Sequence, residues 1–416
     1  MTQAISKHDP LAAIRIAEFK HLMIGRFLFI MGLRMMGTIV GWWVYELTND
    51  PFAIGLVGLS EFFPAVGMAL YAGYIIDISE KRKLILTGVV LYALVALLLI
   101  CLSGFKNQHQ WQPNNMALVV YLLIFCTGII RSFTGPCFSV ILAAIVPKQI
   151  LPNATTWSQG TWLSASVTGH ALGGILIAFI GITGALSMVL AAIVIAFFFI
   201  RKIQPKAVKP SQLQSQNVWQ SVKEGVLFVF RTKAILSTLS LDLFAVLFGG
   251  AVAMVPVFAR DILKVGAHGF GWLNAAADIG AIAVIVLLTI YPLKQNQGKK
   301  MFFAVAGFGV CIIVFALSKV FWLSFFALMM SGFLDGISVV IRGTILQLNT
   351  PDEMRGRVMS VNAMFINSSN ELGQFESGLA ARYFGVVPSV FLGGLATITV
   401  VIITWLKSPS LRKLSY

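Results

Sequence analysis

The sequence predicts an all-α integral membrane protein: twelve transmembrane helices in two pseudo-symmetric six-helix bundles. Three observations predict it. Of 416 residues, 58% are apolar and only 11% charged, against roughly 45–50% and 25% in soluble domains. The apolar residues fall in long runs, such as Leu84–Leu102, Met116–Phe125, Leu186–Ile200 and Phe391–Leu406, and a crossing helix needs about 20 mostly apolar residues. The third observation is an internal repeat that relates the two halves.

The spans read as 22–47, 52–77, 84–104, 116–145, 156–180, 183–202, 235–259, 268–293, 300–318, 321–348, 356–384 and 388–407. With the N-terminus in the cytoplasm, 22 of the 31 Lys and Arg fall inside and 5 outside. The remaining 4 (Arg26, Arg34, Arg131, Arg342) lie within spans. This asymmetry is the positive-inside pattern, so both termini are expected in the cytoplasm of a multi-pass protein of the inner (plasma) membrane. The net charge of +15 then reports topology in a lipid bilayer rather than a nucleic-acid-binding face. Met1–Ile16 is polar, carries His8, Asp9 and Pro10, and has no apolar core, so span 1 itself is expected to direct insertion.

Cys101, Cys126, Cys137 and Cys311 sit inside apolar segments without metal-ligand spacing and are expected to be buried free thiols. The five histidines are dispersed, and no P-loop, Gly-x-Ser-x-Gly or His-Glu-x-x-His pattern occurs. Neither an enzyme, a cofactor nor a metal site is expected.

The longest polar stretch, Arg201–Lys233, divides the chain near its middle. The expected units are an N-terminal bundle (1–202), a cytoplasmic linker (203–234) and a C-terminal bundle (235–416). Within the linker Val218, Val222, Val226 and Phe230 recur at fourfold spacing. That pattern fits a surface-lying helix, with a plain flexible linker as the alternative. A shift of 204 positions aligns Gly128–Gly181 with Gly332–Gly385 without a gap. It matches Gly128/Gly332, Ile141/Ile345, Leu142/Leu346, Pro147/Pro351, Ser164/Ser368, Gly169/Gly373, Gly174/Gly378 and Gly181/Gly385. A shift of 216 pairs Gly55 with Gly271. Glycine is where helices pack closely in lipid, and a duplicated six-span unit is how two-halved carriers are built.

The loop after span 2 reads Gly73, Tyr74, Ile75, Ile76, Asp77, Ile78, Ser79, Glu80, Lys81, Arg82, Lys83. It resembles the signature of the major facilitator superfamily, with Glu80 where a glycine usually stands. Gly343 to Val358, with Pro351, Asp352, Glu353, Arg355, Gly356 and Arg357, resembles the span 10–11 junction of that superfamily's drug and siderophore exporters. That branch holds enterobactin exporters and macrolide efflux proteins. Phe19, Lys20 and Leu22 with Arg26, and Val146–Pro147 with Leu151–Ala154, are similar to the same branch. The resemblance implies a gating motif at the cytoplasmic surface made of Gly73, Asp77, Arg82, Arg355 and Arg357. Span 5 carries Gly169, His170, Ala171, Leu172, Gly173 and Gly174. This resembles an exporter motif of antiporters, with His170 in the place of its proline.

Ionisable residues inside a membrane are costly, about 2.5–3.5 kcal/mol each at a helix centre by insertion scales, and each is a functional hypothesis. The deep ones are Arg34, Glu61, Arg131, Asp278, Asp335 and Glu371, while Asp242, Arg342, Glu376 and His170 are shallower. A carboxylate in a low-dielectric cavity takes up and releases protons near neutral pH. Glu61, Asp278, Asp335 and His170 are therefore the proton-coupling candidates, with Arg34 and Arg131 as charge partners; structural ion pairing is the rival reading. Arg131 also opens Arg131–Pro136, which resembles the span 4 arginine motif of exporters.

Span 11 is unusually polar, with Asn362, Asn367, Ser368, Ser369, Asn370 and Gln374. A helix that polar cannot face lipid with its amides unsatisfied. Asn367, Asn370, Glu371, Gln374 and Trp162 are the expected substrate-cavity residues. Trp42, Trp43, Tyr45, Phe62, Phe63 and Trp157 could join them, although Trp42, Trp43 and Trp157 lie near span ends and also fit interfacial anchors. The resemblance implies a monomeric, proton-coupled exporter of an amphiphilic small-molecule substrate, a drug or siderophore. A metal-ion or nutrient carrier of the same fold and a non-transporting membrane receptor are the alternatives.

Overall fold

The computed structural model describes residues 11–105, 112–206, 218–291, 293, 295–351 and 354–414. His8, Asp9, Pro10, His109 and linker residues 207–217 lie outside the described residues, as do the side chains of Asp77 and Arg355. Every regular element among the described residues is helical. Ten helical runs are long and apolar enough to cross a bilayer. One of them, running to Arg201, holds two of the predicted spans and is broken at Gly181. Span 11, Arg355–Phe384, is the crossing too polar to be found by hydropathy. The total is the twelve that the sequence predicts, and each boundary falls within a few residues of its predicted place.

Local chemistry sets the turns. Span 1 (Ala17–Thr48) stops at Asn49, which takes the left-handed conformation (φ 50°) and returns its N–H to the Tyr45 carbonyl. The Asp50 carboxylate then accepts the Phe52 N–H at 2.9 Å, and Pro51 opens span 2 (Pro51–Ile78). Gly181 (φ 69°) and Gly385 (φ 86°) break the chain between spans 5 and 6 and between spans 11 and 12. They are mates under the 204-residue shift, and both adopt backbone angles that side chains disfavour.

Span 7 is irregular. Helix Lys233–Phe248 passes through a tight turn at Ala251–Met254 into a wide turn at Phe258–Ile262. The linker forms a helix, Val218–Arg231, and not a plain coil. Its buried anchor is Val229, supported by Val226, while Phe230 is exposed. Of the cysteines, only Cys137 is buried, and Cys101 reaches the outer surface of span 3 (Lys81–Phe105). Trp42 and Trp43 are buried rather than interfacial, and Trp42 lies 5.3 Å from the ring of Phe270 in span 8 (Gly266–Ile290).

The halves meet along two helix pairs, span 2 against span 11 and span 5 against span 8. At one crossing a side chain on Gly174 would strike the backbone of Ala267 and Gly271; at the other, one on Gly378 would sit 2.8 Å from the Gly55 Cα. These four glycines are the repeat-related pairs of the sequence, so the two crossings are images of each other under the pseudo-symmetry. Tight backbone approach is what holds helices together in lipid, where hydrophobic burial gives no drive.

Replacing Gly174 by Leu should wedge this crossing open. Overpacking costs about 1–3 kcal/mol, which is about 1–4 °C for a chain of this size. Gly67 has open space beside it, so Gly67→Leu should leave the melting temperature of the purified protein within about 1 °C of wild type.

Candidate functional site

The twelve crossings place the ends of the chain on one face, called here the terminal face, and the turns after spans 1 and 7 on the far face. On the far face the halves interlock. The Tyr45 hydroxyl donates to the Asp261 carboxylate, the Arg260 guanidinium lies 5.4 Å from the Tyr45 ring centre, and Arg382 pairs with Asp50 at 3.7 Å. The glycine crossings lie just inside this layer. Four to seven residues further along the same helices, about 6–10 Å at 1.5 Å per residue, stand the ionisable side chains.

The first cluster is built by spans 2, 4 and 11. Gly128 of span 4 (Pro113–Ile145) lets that helix press on span 2; a side chain there would sit 2.6 Å from Pro64 and 2.9 Å from the Glu61 carbonyl. One turn on, Arg131 reaches the Glu61 carboxylate. The same guanidinium donates to Glu371 at 3.2 Å and to the Asn367 amide oxygen at 3.5 Å, both on span 11. One arginine thus holds two carboxylates, one from each half. Glu371 is buried, while 41% of the Arg131 side chain stays accessible.

The second cluster is built by spans 1, 5 and 8. Gly169 lets span 5 close on span 1, where a side chain would sit 2.7 Å from the Arg34 Cβ. The adjacent His170 then places Nδ1 2.8 Å from the Thr38 hydroxyl and Nε2 3.6 Å from Asp278 of span 8. Ser166 donates to the same Asp278 oxygen at 2.6 Å. The Thr38 hydroxyl also lies 3.0 Å from the Arg34 carbonyl, and toward Nδ1 it can donate or accept according to the imidazole tautomer. Nε2 faces the carboxylate, so the imidazole and Asp278 make a polar contact across the two halves.

Arg34, expected as a charge partner, lies over the Trp162 ring, 5.1 Å from its centre, within electrostatic reach of Asp278, Glu61 and Glu371 but with no direct ion pair among the described residues. On its side of span 1, Gly37 and Gly41 leave open space. Glu371, expected on the cavity wall, is drawn into the Arg131 cluster. Gln374 packs on Gly58 of span 2, and Asn370 is exposed. Asp335 joins neither cluster: it faces a cavity inside the C-terminal bundle together with Asp242. Glu376 is partly buried on span 11. At the terminal face Arg82 donates to the Arg201 carbonyl at 2.8 Å, where the end of span 6 favours a cation. Arg357 pairs with Glu224 of the linker helix. No group of three or more His, Cys, Asp or Glu among the described residues converges as for a metal.

Sequence reasoning missed Thr38, Ser166 and Asp261. The first two had a signal, for each lies four residues from an ionisable candidate (Arg34, His170) on the same helix face.

Residues 8–414 match the model of the transmembrane secretion effector family. The chain belongs to that family, within the major facilitator superfamily. It is similar to the enterobactin exporter EntS of Citrobacter koseri, 23% identical over 398 residues, covering 95% of this chain and 92% of the relative. EntS of Escherichia coli O1:K1 is 24% identical over 345 residues, covering 82% and 79%. Among solved structures, the nucleoside transporter NupG superposes with a TM-score of 0.71 at 13% identity, covering 94% of this chain and 98% of that one. A POT family transporter in complex with 5-aminolevulinic acid gives 0.72 at 13% identity, covering 95% and 96%. The protein is a multi-pass membrane transporter of the exporter type.

Removing Arg131 leaves Glu371 buried without a partner. Breaking a buried pair costs about 3–5 kcal/mol; the partial exposure of Arg131 lowers the expectation for Arg131→Ala to about 1–3 kcal/mol. Adding Glu61→Gln and Glu371→Gln to that variant should recover most of the loss, as read by thermal unfolding of the purified protein.

Proposed function

We propose that this chain exports an amphiphilic organic solute of the drug or siderophore class in exchange for protons, by alternating exposure of the cavity between its halves. The His170–Asp278 pair carries the reading. It bridges the halves, and an imidazole beside a carboxylate on a moving interface is a pair through which proton uptake can be linked to the spacing of spans 5 and 8. The acids inside the membrane (Glu61, Asp242, Asp278, Asp335, Glu371, Glu376) outnumber the arginines (Arg26, Arg34, Arg131, Arg342). Uncompensated carboxylates in lipid are held more cheaply when protonated.

Arg34 on Trp162 is the substrate anchor, a cation on an aromatic shelf that suits an anionic or aromatic group such as a catecholate. Asn367, Asn370 and Gln374 give the wall its hydrogen-bonding character. The terminal face, rich in Lys and Arg, is cytoplasmic, and the protein works as a monomer in the inner membrane. The halves, 1–202 and 235–416, rock about the glycine crossings, with 203–234 as the tether. Gly73, Asp77, Arg82, Arg355 and Arg357 form the cytoplasmic gate. The far-face contacts between Tyr45 and Asp261 and between Arg382 and Asp50 break when the cavity opens outward.

The test is flux in proteoliposomes with and without an imposed proton gradient, using enterobactin as solute. His170→Gln and Asp278→Asn should lose at least about tenfold of the gradient-driven flux while keeping downhill exchange. Arg34→Ala should weaken solute binding, with Arg34→Lys recovering part of it. Gradient-driven flux that survives in both His170→Gln and Asp278→Asn would remove the pair from coupling.

A further inference from the structure

Asp335 has an odd position in the repeat. The 204-residue shift that pairs Gly128 with Gly332 also pairs Arg131 with Asp335. In the first half that position holds a cation clasped by two acids; in the second it holds an acid with no ion pair among the described residues. The cavity it faces is walled by Asp242, Ala245 and Val246 of span 7, Val305 and Phe308 of span 9 (Gln297–Leu317), and Ser338 one turn along span 10 (Phe321–Leu348). Ser338 is 1% exposed, and its hydroxyl oxygen has no hydrogen-bond partner among the described residues. A buried hydroxyl left without a partner is costly, so it points to something the cavity takes in.

We propose that Asp335, Asp242 and Ser338 form a binding site for one small monovalent cation, held within the C-terminal bundle and apart from the substrate cavity. The charge fits. Asp242 is paired with Arg342, two turns beyond Asp335 on the same helix face. The cluster therefore carries one uncompensated negative charge, which matches a monovalent ion and not a divalent one. The donors are two carboxylates and a hydroxyl, hard oxygen ligands suited to a hard cation. The charged groups facing Asp335 are Asp242 and Arg342. Span 9 presents Val305 and Phe308, and span 8 packs on span 10 through Gly280 and Val284. A sodium ion and a proton carried on Asp335 share this chemistry. The site does not depend on the choice of solute or on the role given to His170, since it is read by binding and not by flux.

The experiment is thermal unfolding of the purified full-length chain in two arms. In the first, sodium chloride replaces choline chloride at constant ionic strength and pH 8. In the second, the pH runs from 6 to 8 in choline chloride alone. A sodium site raises the melting temperature of the wild type by a few degrees in the first arm, and Asp335→Asn abolishes the rise. A proton site leaves the first arm flat and makes the wild type lose a few degrees more than Asp335→Asn between pH 6 and 8. Ser338→Ala should raise the half-saturating sodium concentration at least about threefold, or halve the pH response, and it carries the test if Asp335→Asn does not fold. Responses of wild type and variants that coincide in both arms would overturn the proposal.

Discussion

A charge in the middle of a bilayer has no bulk water to solvate it, and this protein meets that constraint by drawing partners from both halves onto one arginine. Arg131 comes from the first half and Glu371 from the second, so the pair that satisfies each is also a bond between the bundles. Around it the backbone is arranged to let the bond form. Gly128 brings span 4 onto span 2, and the Gly55–Gly378 crossing brings span 2 onto span 11. With a larger residue at any of these positions the helices separate and the charges lose each other. Small side chains and buried ions are thus two parts of one device.

The repeat shows how one backbone is turned to two uses. The glycine crossings are kept in both copies, since both are needed for the halves to meet. The charged positions are not kept. Arg131 is answered by Asp335 and His170 by Gln374 at the same shift. Glu61 maps under the 216-residue shift onto Ala277, with Asp278 one position further. One residue turns a helix by about 100°. That step swings the acid from the neighbouring span of its own bundle to span 5 of the other half, where it meets His170 and Ser166. A symmetric scaffold thus carries asymmetric charge, with an arginine and two acids beside one crossing and a histidine facing an acid beside the other.

Most of the fold was legible because lipid imposes a simple code of apolar run lengths, and the glycine repeat survives where few other positions do. Span 11 was legible for the opposite reason, since a polar run that long must face protein or water. The pairing of charges was not legible. Which acid Arg131 meets depends on helix rotation and on which spans touch across the halves, and no spacing along the chain encodes either. Thus Glu371 looked like a wall residue, while Trp42 looked interfacial because its partner Phe270, on span 8, lies over 200 residues away. Asp335 resembled Asp278 in depth, and only the packing of spans 7, 9 and 10 separates their surroundings.

The central claim is that a single arginine bearing two acids ties the halves together at mid-membrane. A charge swap tests it most directly, because Arg131→Glu combined with Glu371→Arg keeps one arginine and two carboxylates in the cluster while exchanging their places. Thermal unfolding of the two single variants and of the double variant is the measurement. The account predicts a marked loss of stability in each single variant, where three acids or two arginines crowd one site, and recovery of most of it in the double. A double variant no more stable than Arg131→Glu alone would contradict it.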